Sequence, residues 1–400
     1  GVVAIGTVGV PNQADTVLCG RIVSGNDGLG GPLERALHGG AGRLSERYIL
    51  LEGSRASGIG AKMQLNTAEC QGIAAFPGQI VAVLGRSDMT GSTFHARDFL
   101  AGLPAPSRLL APERSLRALV VAGPFCLRVG FDYTPLDSVL AHAATERPEV
   151  LIILGPFLDT NNLKVSSGDT FLPGEEHEPC SCEELYANHV LPRLIRGLAT
   201  LRQASPATEV LIVPSLNEAL CFHPLPQPPL DAMIGGSSSG AIDQLKRMGI
   251  KFLPNPAHVE INGIQVSITS ADALSPLLRN IVLRPARPAG RKIEEALRLL
   301  LLQRSLFPVV PRDPAQVCEA RAAAMDFPAG MLPDICIFPS ISGSPNGTLV
   351  DDTIFVNPGS LIRPAAFGTF AELWLAPSTV GANTSFSECV RVDIHRLANG

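Results

Sequence analysis

The chain has 400 residues, of which 46% are hydrophobic and 17% are charged, with 38 Gly and 34 Pro. This composition excludes a largely disordered chain, which would be poor in apolar residues and rich in charge. The formal net charge of −5 is unusual for a protein that binds mainly the phosphate backbone of nucleic acids. No apolar run approaches the roughly 18 residues of a membrane-spanning helix, so we expect no membrane contact.

The first hundred residues have the pattern of a small β-barrel. Short apolar runs are separated by Gly-rich turns, and they predict strands over 16–23, 47–52, 79–85 and 92–99. A connector with three prolines follows over 100–115. The domain prediction is therefore an N-terminal segment over 1–14, a barrel over 15–112 and a second domain over 113–400. Because the chain opens at Gly1 without Met or a leader segment, we expect it to be a fragment of a longer protein.

The second domain contains five apolar runs that each stop at a small-residue turn. They cover 117–125, 149–159, 209–218, 334–342 and 353–361. Runs of this kind predict buried strands, and helical patterns over 182–204 and 291–305 add α/β units. A Pro- and Gly-rich stretch over 222–240 predicts a surface loop.

The ends of these strands are the natural place for chemistry in an α/β protein. The residues found there provide neither a metal ligand nor a general base. They are Gly123, Pro124, Gly155, Pro156, Pro214, Ser215, Pro339 and Ser340.

The order of these segments resembles the calcineurin-like phosphoesterases. Active members of that family end their strands in D-x-H, G-D-x-x-D, G-N-H-E/D, a lone His and G-H-x-H, which hold two metal ions. Here Gly123, Pro124 and Phe125 replace the first motif. Gly155 and Asp159 survive from the second, with Pro156 at its bridging Asp. The remaining positions carry Pro214, Ser215, Asp272, Pro339, Ser340 and the retained Asn357.

A phosphoesterase scaffold without its histidines is similar to the B subunits of the replicative DNA polymerases, and most of all to those of DNA polymerase α–primase. The phrases that carry this resemblance run through about residues 15–395. They include GPFLD at 155–159, VPSLNE at 213–218, TSADAL at 269–274, QRSLFPVVP at 303–311, VNPGSL at 356–361 and GTFAELWL at 368–375.

The resemblance implies an OB-fold barrel followed by an inactive α/β calcineurin-like sandwich, with no cofactor, metal or catalysis. Asp159 is then a turn-stabilising residue, and Asp272 a surface residue. The implied partners are the C-terminal, metal-binding region of the polymerase α catalytic subunit and, indirectly, primase. The implied location is the nucleus.

Three other functions remain open from the sequence. The chain could be the accessory subunit of polymerase δ or ε, which share the scaffold, or an active metallophosphoesterase, which would need the missing ligands. It could also be an OB-type single-stranded DNA-binding protein. Residues 1–112 oppose that last interpretation, because nine Lys and Arg face eight Asp and Glu, and the only aromatic residues are Tyr48, Phe76, Phe94 and Phe99.

Overall fold

The computed structural model describes residues 3–25, 44–58, 60–100, 102, 114–175, 178–220, 222–284, 292–313, 316–363, 366–377 and 386–397. Its contacts divide the chain into two compact units. Unit 1 combines Gly1–Pro106 with Ala273–Asp313, and unit 2 combines Ser107–Asp272 with Pro314–Gly400. No helix in these ranges is long and apolar enough to cross a membrane.

The strands in chain order are β1 (Ala4–Ile5), β2 (Thr16–Ser24), β3 (Ile49–Glu52), β4 (Lys62–Asn66), β5 (Ile73–Ala75), β6 (Ile80–Ser87), β7 (Thr93–Leu100), β8 (Leu116–Ala122), β9 (Val150–Leu154), β10 (Glu209–Val213), β11 (Ile250–Phe252), β12 (Ala257–Ile261), β13 (Ile264–Ile268), β14 (Val282–Arg284), β15 (Ile335–Ile337), β16 (Asn346–Val350), β17 (Thr353–Asn357), β18 (Ile362–Arg363), β19 (Ala366–Phe367), β20 (Thr369–Leu375) and β21 (Val390–Arg396).

The α-helices are α1 (Arg55–Gly58), α2 (Thr134–Glu146), α3 (Leu163–Ser167), α4 (Cys182–Leu185), α5 (Leu191–Ala204), α6 (Leu230–Met233), α7 (Ser239–Arg247), α8 (Leu274–Asn280) and α9 (Lys292–Gln303). A π-helical turn, Tyr186–Val190, joins α4 to α5, and 3₁₀ turns cover Glu46–Tyr48, Gly236–Ser238, Glu319–Met325 and Phe386–Cys389.

Unit 1 is built on a closed barrel. Its sheet runs β1-β2-β3-β4-β7-β6, and β6 pairs back onto β2 to close the ring. Buried and exposed residues alternate strictly along β4, as expected for strands with one face in a core. Ile22, Leu51, Met63 and Phe94 are among the fully buried residues that fill the interior. The four strands predicted from the sequence are all present, whereas the two-residue β1, β4 and the three-residue β5 were not predicted.

The segment 273–313 completes unit 1 from a distant part of the chain. Strand β14 pairs antiparallel with β5. The guanidinium of Arg284 donates to the carbonyl oxygens of Thr67 (2.6 Å) and Cys70 (2.9 Å) and pairs with Glu46. The predicted domain boundary at 112/113 placed this segment in the second domain, whereas the structure groups it with the first. The reason is that β14 has only three residues, which is too few for a sequence pattern to indicate which strand it pairs with.

Unit 2 is a sandwich of two sheets with helices on one outer face. The first sheet has the order β11-β10-β9-β8-β20-β21 and the second β12-β13-β15-β17-β16. Residues of alternate parity on β8, β9 and β10 point to opposite sides. One set packs on α2, α5 and α7, and the other set packs against the second sheet. Burial on both faces explains why these strands read as continuous apolar runs.

Two local predictions in unit 2 need correction. The helix expected over 182–204 is interrupted by the π turn between α4 and α5. The stretch 222–240 is not a simple surface loop, because it contains α6 and the fully or nearly fully buried side chains of Leu225, Gln227 and Leu230. The high proline and glycine content of this stretch indicated a surface loop, so the burial of these three residues was not predicted.

Candidate functional site

The carboxyl ends of six strands meet at one end of the unit 2 sandwich. Strands β8, β9 and β10 are mutually parallel, as are β13, β15 and β17. The two sheets are tied together at this end, because the hydroxyl of Ser270, just after β13, donates to the carbonyl oxygen of Pro214, just after β10 (2.6 Å). The residues predicted from the sequence therefore do lie along one edge.

Close backbone packing fills the beginning of this edge. A side chain at position 123 would overlap the carbonyl oxygen of Pro156 and come within 2.9 Å of its nitrogen, so only glycine fits there. Phe125 is fully buried and stacks on Phe157, with ring centroids 5.2 Å apart. The first and second strand ends thus touch through backbone and aromatic rings.

Glu218 is a buried carboxylate at the centre of the edge. It has no exposed surface and accepts hydrogen bonds from the backbone N–H groups of Phe157 (2.8 Å) and Leu158 (2.9 Å). Burial raises the pKa of Glu218 from 4.5 to about 7, against the two hydrogen bonds and with a further contribution from Asp159. Sequence reasoning included Glu218 in a phrase without giving it a role, because nothing in the local pattern marks it as buried.

The two aspartates singled out from the sequence both accept backbone hydrogen bonds, Asp159 within its own turn and Asp272 from the loop after β15. One carboxylate oxygen of Asp159 accepts from the backbone N–H (2.9 Å) and the side-chain amide (3.0 Å) of Asn161. Burial raises the pKa of Asp159 above its ordinary value. Asp272 accepts from the backbone N–H of Ile341 (3.1 Å), so it joins the ends of β13 and β15.

A buried amide, Asn255, ties the ends of β10 and β13 together. Its Nδ2 donates to Pro214 O (3.2 Å), Gln227 Oε1 (2.9 Å) and Ser270 Oγ (2.8 Å). Its Oδ1 accepts from the hydroxyl of Thr269 (2.8 Å). The Gln227 amide in turn donates to Ser215 O (3.1 Å). None of this was visible in the sequence, where Asn255 appears as one polar residue among prolines.

Asn357 performs the same task at the end of β17. Its Oδ1 accepts from the N–H groups of Ser340 and Gly359 (both 3.0 Å), and its Nδ2 donates to Ser340 O (3.0 Å). The hydroxyls of Ser215 and Ser340 accept from N–H groups two residues further on, at Asn217 and Ser342 (both 3.2 Å). These serines therefore stabilise turns.

The side chains at this edge do not fit a two-metal centre. Each divalent ion would need several oxygen or imidazole ligands, whereas the ends present prolines, glycines, serines and amides. The three carboxylates at the edge, Asp159, Asp272 and Glu218, already accept hydrogen bonds from backbone N–H groups. Within the part of the chain that the structure describes, no group of three or more His, Cys, Asp or Glu is placed to bind a metal ion.

Unit 1 has two open surface cavities, which bear on function because OB barrels can bind nucleic acid. One, of about 630 Å³, is lined in part by Arg21, Glu52 and Arg55. The other, of about 610 Å³, is lined in part by Arg47 and Arg284. No aromatic side chain lines either cavity among the described residues, so both lack the stacking platforms on which single-strand binding usually depends.

Comparisons with known proteins give the family. Residues 118–345 match the family model for the B subunit of DNA polymerases alpha and epsilon. Residues 3–102 match the model for the OB domain of the B subunit of DNA polymerase alpha, which confirms the predicted barrel.

Curated relatives agree with these matches. The chain is 28% identical to the B subunit of DNA polymerase alpha from Schizosaccharomyces pombe over 93% of this chain and 62% of the relative. It is 25% identical to the rat protein of that name over 94% of this chain and 57% of the relative. Among solved structures, an archaeal phosphodiesterase aligns with 70% of this chain and 100% of its own, at 10% identity and a TM-score of 0.31.

The chain spans about three fifths of the length of these two relatives. The first family model alone covers more than half of the chain, from within β8 to the residue before β16. On this basis the chain belongs to the family of B subunits of DNA polymerases alpha and epsilon.

Proposed function

We propose that this chain is a non-catalytic accessory subunit of DNA polymerase α–primase. It binds the C-terminal region of the catalytic polymerase subunit and, through that subunit, is linked to primase during primer synthesis in the nucleus. The observation that carries the proposal is the edge of unit 2, where hydrogen bonds among buried side chains occupy the strand ends of a phosphoesterase-like scaffold.

The chemistry of these strand ends supports a role without catalysis. Asp159 accepts a hydrogen bond from its own turn, Asp272 accepts one from the loop after β15, and Glu218 is completely enclosed. We therefore assign the residues that replace the phosphoesterase motifs as vestigial positions, with no catalytic, metal or cofactor role. They are Gly123, Pro124, Phe125, Gly155, Pro156, Asp159, Pro214, Ser215, Asp272, Pro339, Ser340 and Asn357.

An α rather than an ε or δ assembly is favoured by the barrel. The match of residues 3–102 is to the OB domain of the α-type protein, and the curated relatives bear the α name. A single-strand DNA-binding role is disfavoured by the net charge of −5 and by two cavities whose described lining contains no aromatic residue. We expect only weak or indirect DNA contact.

The decisive experiment offers both ligands to the purified chain at physiological salt. One is the C-terminal region of the polymerase α catalytic subunit, and the other is single-stranded DNA. We expect a complex with the polypeptide that survives gel filtration, and only weak DNA binding. Tight, salt-sensitive DNA binding with no polypeptide complex would instead identify a DNA-binding protein.

The absence of catalysis has its own test. Elemental analysis of the purified chain and hydrolysis of a p-nitrophenyl phosphodiester with Mn²⁺ should both give background values. Two tightly bound metal ions per chain together with Mn²⁺-dependent turnover would contradict the proposal.

A further inference from the structure

The two sheets of unit 2 have four edge strands, namely β11, β12, β16 and β21. Edge strands expose unpaired backbone groups, and soluble proteins commonly protect them with charged residues. Lys251 lies in β11, Glu260 in β12, and Arg391 and Asp393 in β21. Strand β16, with the sequence NGTLV, contains no charged residue. It is the unprotected edge among these four.

The outward backbone groups of β16 can be assigned from its pairing. Asp351 and Asp352 form a two-residue turn between β16 and β17, and Val350 faces Thr353 across it. The pair that closes such a turn exchanges hydrogen bonds, and bonded pairs then alternate. The N–H and C=O groups of Leu349 and Gly347 therefore point away from β17. The described part of the chain supplies neither residue with a hydrogen bond outside the sheet.

An apolar opening lies beside this edge. Leu349 faces Ile354 across the hairpin, and Ile354 belongs to the core between the two sheets. Leu349 is nevertheless 49% exposed. On the other sheet, Val392 would lie 2.8 Å from a side chain at position 347, and Val390, Val392 and Ile394 are only partly buried. The interior of the sandwich is thus incompletely covered where β16 and β21 approach each other.

These features define the chemistry of an occupant. An added strand would bond to Gly347 and Leu349, and every second side chain of it would cover the apolar opening. At the turn, Asp351 and Asp352 are both exposed, so a basic residue in the occupant would find a complementary charge there. A second copy of this chain is a poor occupant, because a five-residue edge buries far less than the roughly 1,200 Å² of a stable interface.

We propose that β16 binds an extended segment of the partner protein by strand addition, with apolar residues at alternate positions and a Lys or Arg beside Asp351 and Asp352. The inference rests on the proposed function, since the partner is the C-terminal region of the polymerase α catalytic subunit. It specifies which surface of the chain that region contacts.

The test measures the dissociation constant of that C-terminal region for the chain and for three variants. Leu349→Lys puts a charge on the open edge and should weaken binding about tenfold or more. The double variant Asp351→Asn/Asp352→Asn should weaken it about threefold at low salt and reduce its salt dependence. Glu260→Lys introduces the same residue on the protected edge β12 and should leave binding within about twofold of the unmodified chain.

Hydrogen exchange of the unmodified chain gives an independent readout that needs no variant to fold. Residues 342–352 should become protected in the complex, because Gly347 and Leu349 acquire partners. If the unmodified chain binds but 342–352 stays unprotected and Leu349→Lys binds normally, the edge proposal is wrong and the proposed function stands.

If the unmodified chain does not bind at all, the proposed function and the edge proposal are both wrong. Sedimentation of the free chain as a dimer with 342–352 already protected would assign the edge to a second copy and overturn the proposal.

Discussion

The two units each join distant parts of the chain through side chains, but they use different chemistry. In unit 1, Arg284 reaches Glu46 and two carbonyl oxygens through a guanidinium that is 37% exposed. In unit 2, Asn255 joins two strand ends through neutral hydrogen bonds at zero exposure. A partly exposed ion pair is screened by water and salt, whereas a buried amide leaves unsatisfied partners behind if it is removed. The comparison predicts unequal penalties for breaking the two joints.

The largest effect is expected at the buried joint. Asn255→Ala removes the buried acceptor of the Thr269 hydroxyl and the donor to Gln227 Oε1, whereas Ser270 and Pro214 keep their bond to each other. Each buried unsatisfied group costs about 1–3 kcal/mol. We expect a loss of roughly 3–5 kcal/mol in the free energy of unfolding of unit 2, measured by urea denaturation. Asn217→Ala, at an exposed residue on the same edge, is the matched control. If Asn255→Ala and Asn217→Ala unfold with the same free energy, the buried hydrogen bonds of Asn255 do not stabilise unit 2 as expected.

Unit 2 should also show a pH dependence of stability, because Glu218 is a fully buried carboxylate. The folded chain keeps a proton on Glu218 up to a pKa of about 7, whereas the ordinary value is 4.5. Between these values the folded state binds more protons than the unfolded state, so the free energy of unfolding falls as pH rises.

We expect Glu218→Gln to flatten this decline between about pH 5 and pH 8 by on the order of 2 kcal/mol. Thermal or urea unfolding across that range measures it, with Glu260→Gln on β12 as the exposed control. An unchanged decline in Glu218→Gln would mean that Glu218 is already ionised in the folded chain at the acidic end of the range.

The arginine joint of unit 1 should be weaker and sensitive to salt. Arg284→Lys keeps the charge but loses the forked donors that reach Thr67 and Cys70. We expect about 1 kcal/mol of local destabilisation, seen as faster hydrogen exchange over residues 67–76, with the exposed Arg279→Lys as control. The difference between Arg284→Ala and Arg284→Lys should shrink in about 1 M salt. A penalty as large and salt-independent as that of Asn255→Ala would contradict the comparison.

The smallest effect is expected at Gln303, a second joint of unit 1. Its amide accepts from Ile80 N–H (2.8 Å) and donates to Ile80 O (2.9 Å), as a paired strand residue would. Gln303→Glu keeps an acceptor but loses the donor, so we expect a loss of about 0.5–1 kcal/mol. Hydrogen exchange over β6 measures the change. If hydrogen exchange over β6 is unchanged in Gln303→Glu, water replaces the amide donor without any loss of stability.

Elements with a local apolar pattern could be predicted from the sequence, whereas contacts between residues far apart in the chain could not. The buried strands β8, β9 and β10 were visible as apolar runs that end at Gly or Pro. The side chains that hold the edge of unit 2 together were invisible, because Asn255, Gln227 and Glu218 are single polar residues whose burial depends on other loops. The pairing of β14 with β5 was missed for a related reason, since two three-residue strands lack a readable period.

The discontinuity of unit 1 has a consequence for the synthesis of the chain. Arg284 lies in the late segment that completes unit 1, and it follows its partners Thr67 and Glu46 by 217 and 238 positions. At about 5–20 residues per second, a ribosome needs roughly 10–50 seconds to cover that distance. During this interval β5 has no β14, and Ile80 has no Gln303. The nascent unit 1 therefore exposes the unpaired backbone groups of β5 until β14 has been synthesised, and chaperones can bind this edge during that interval.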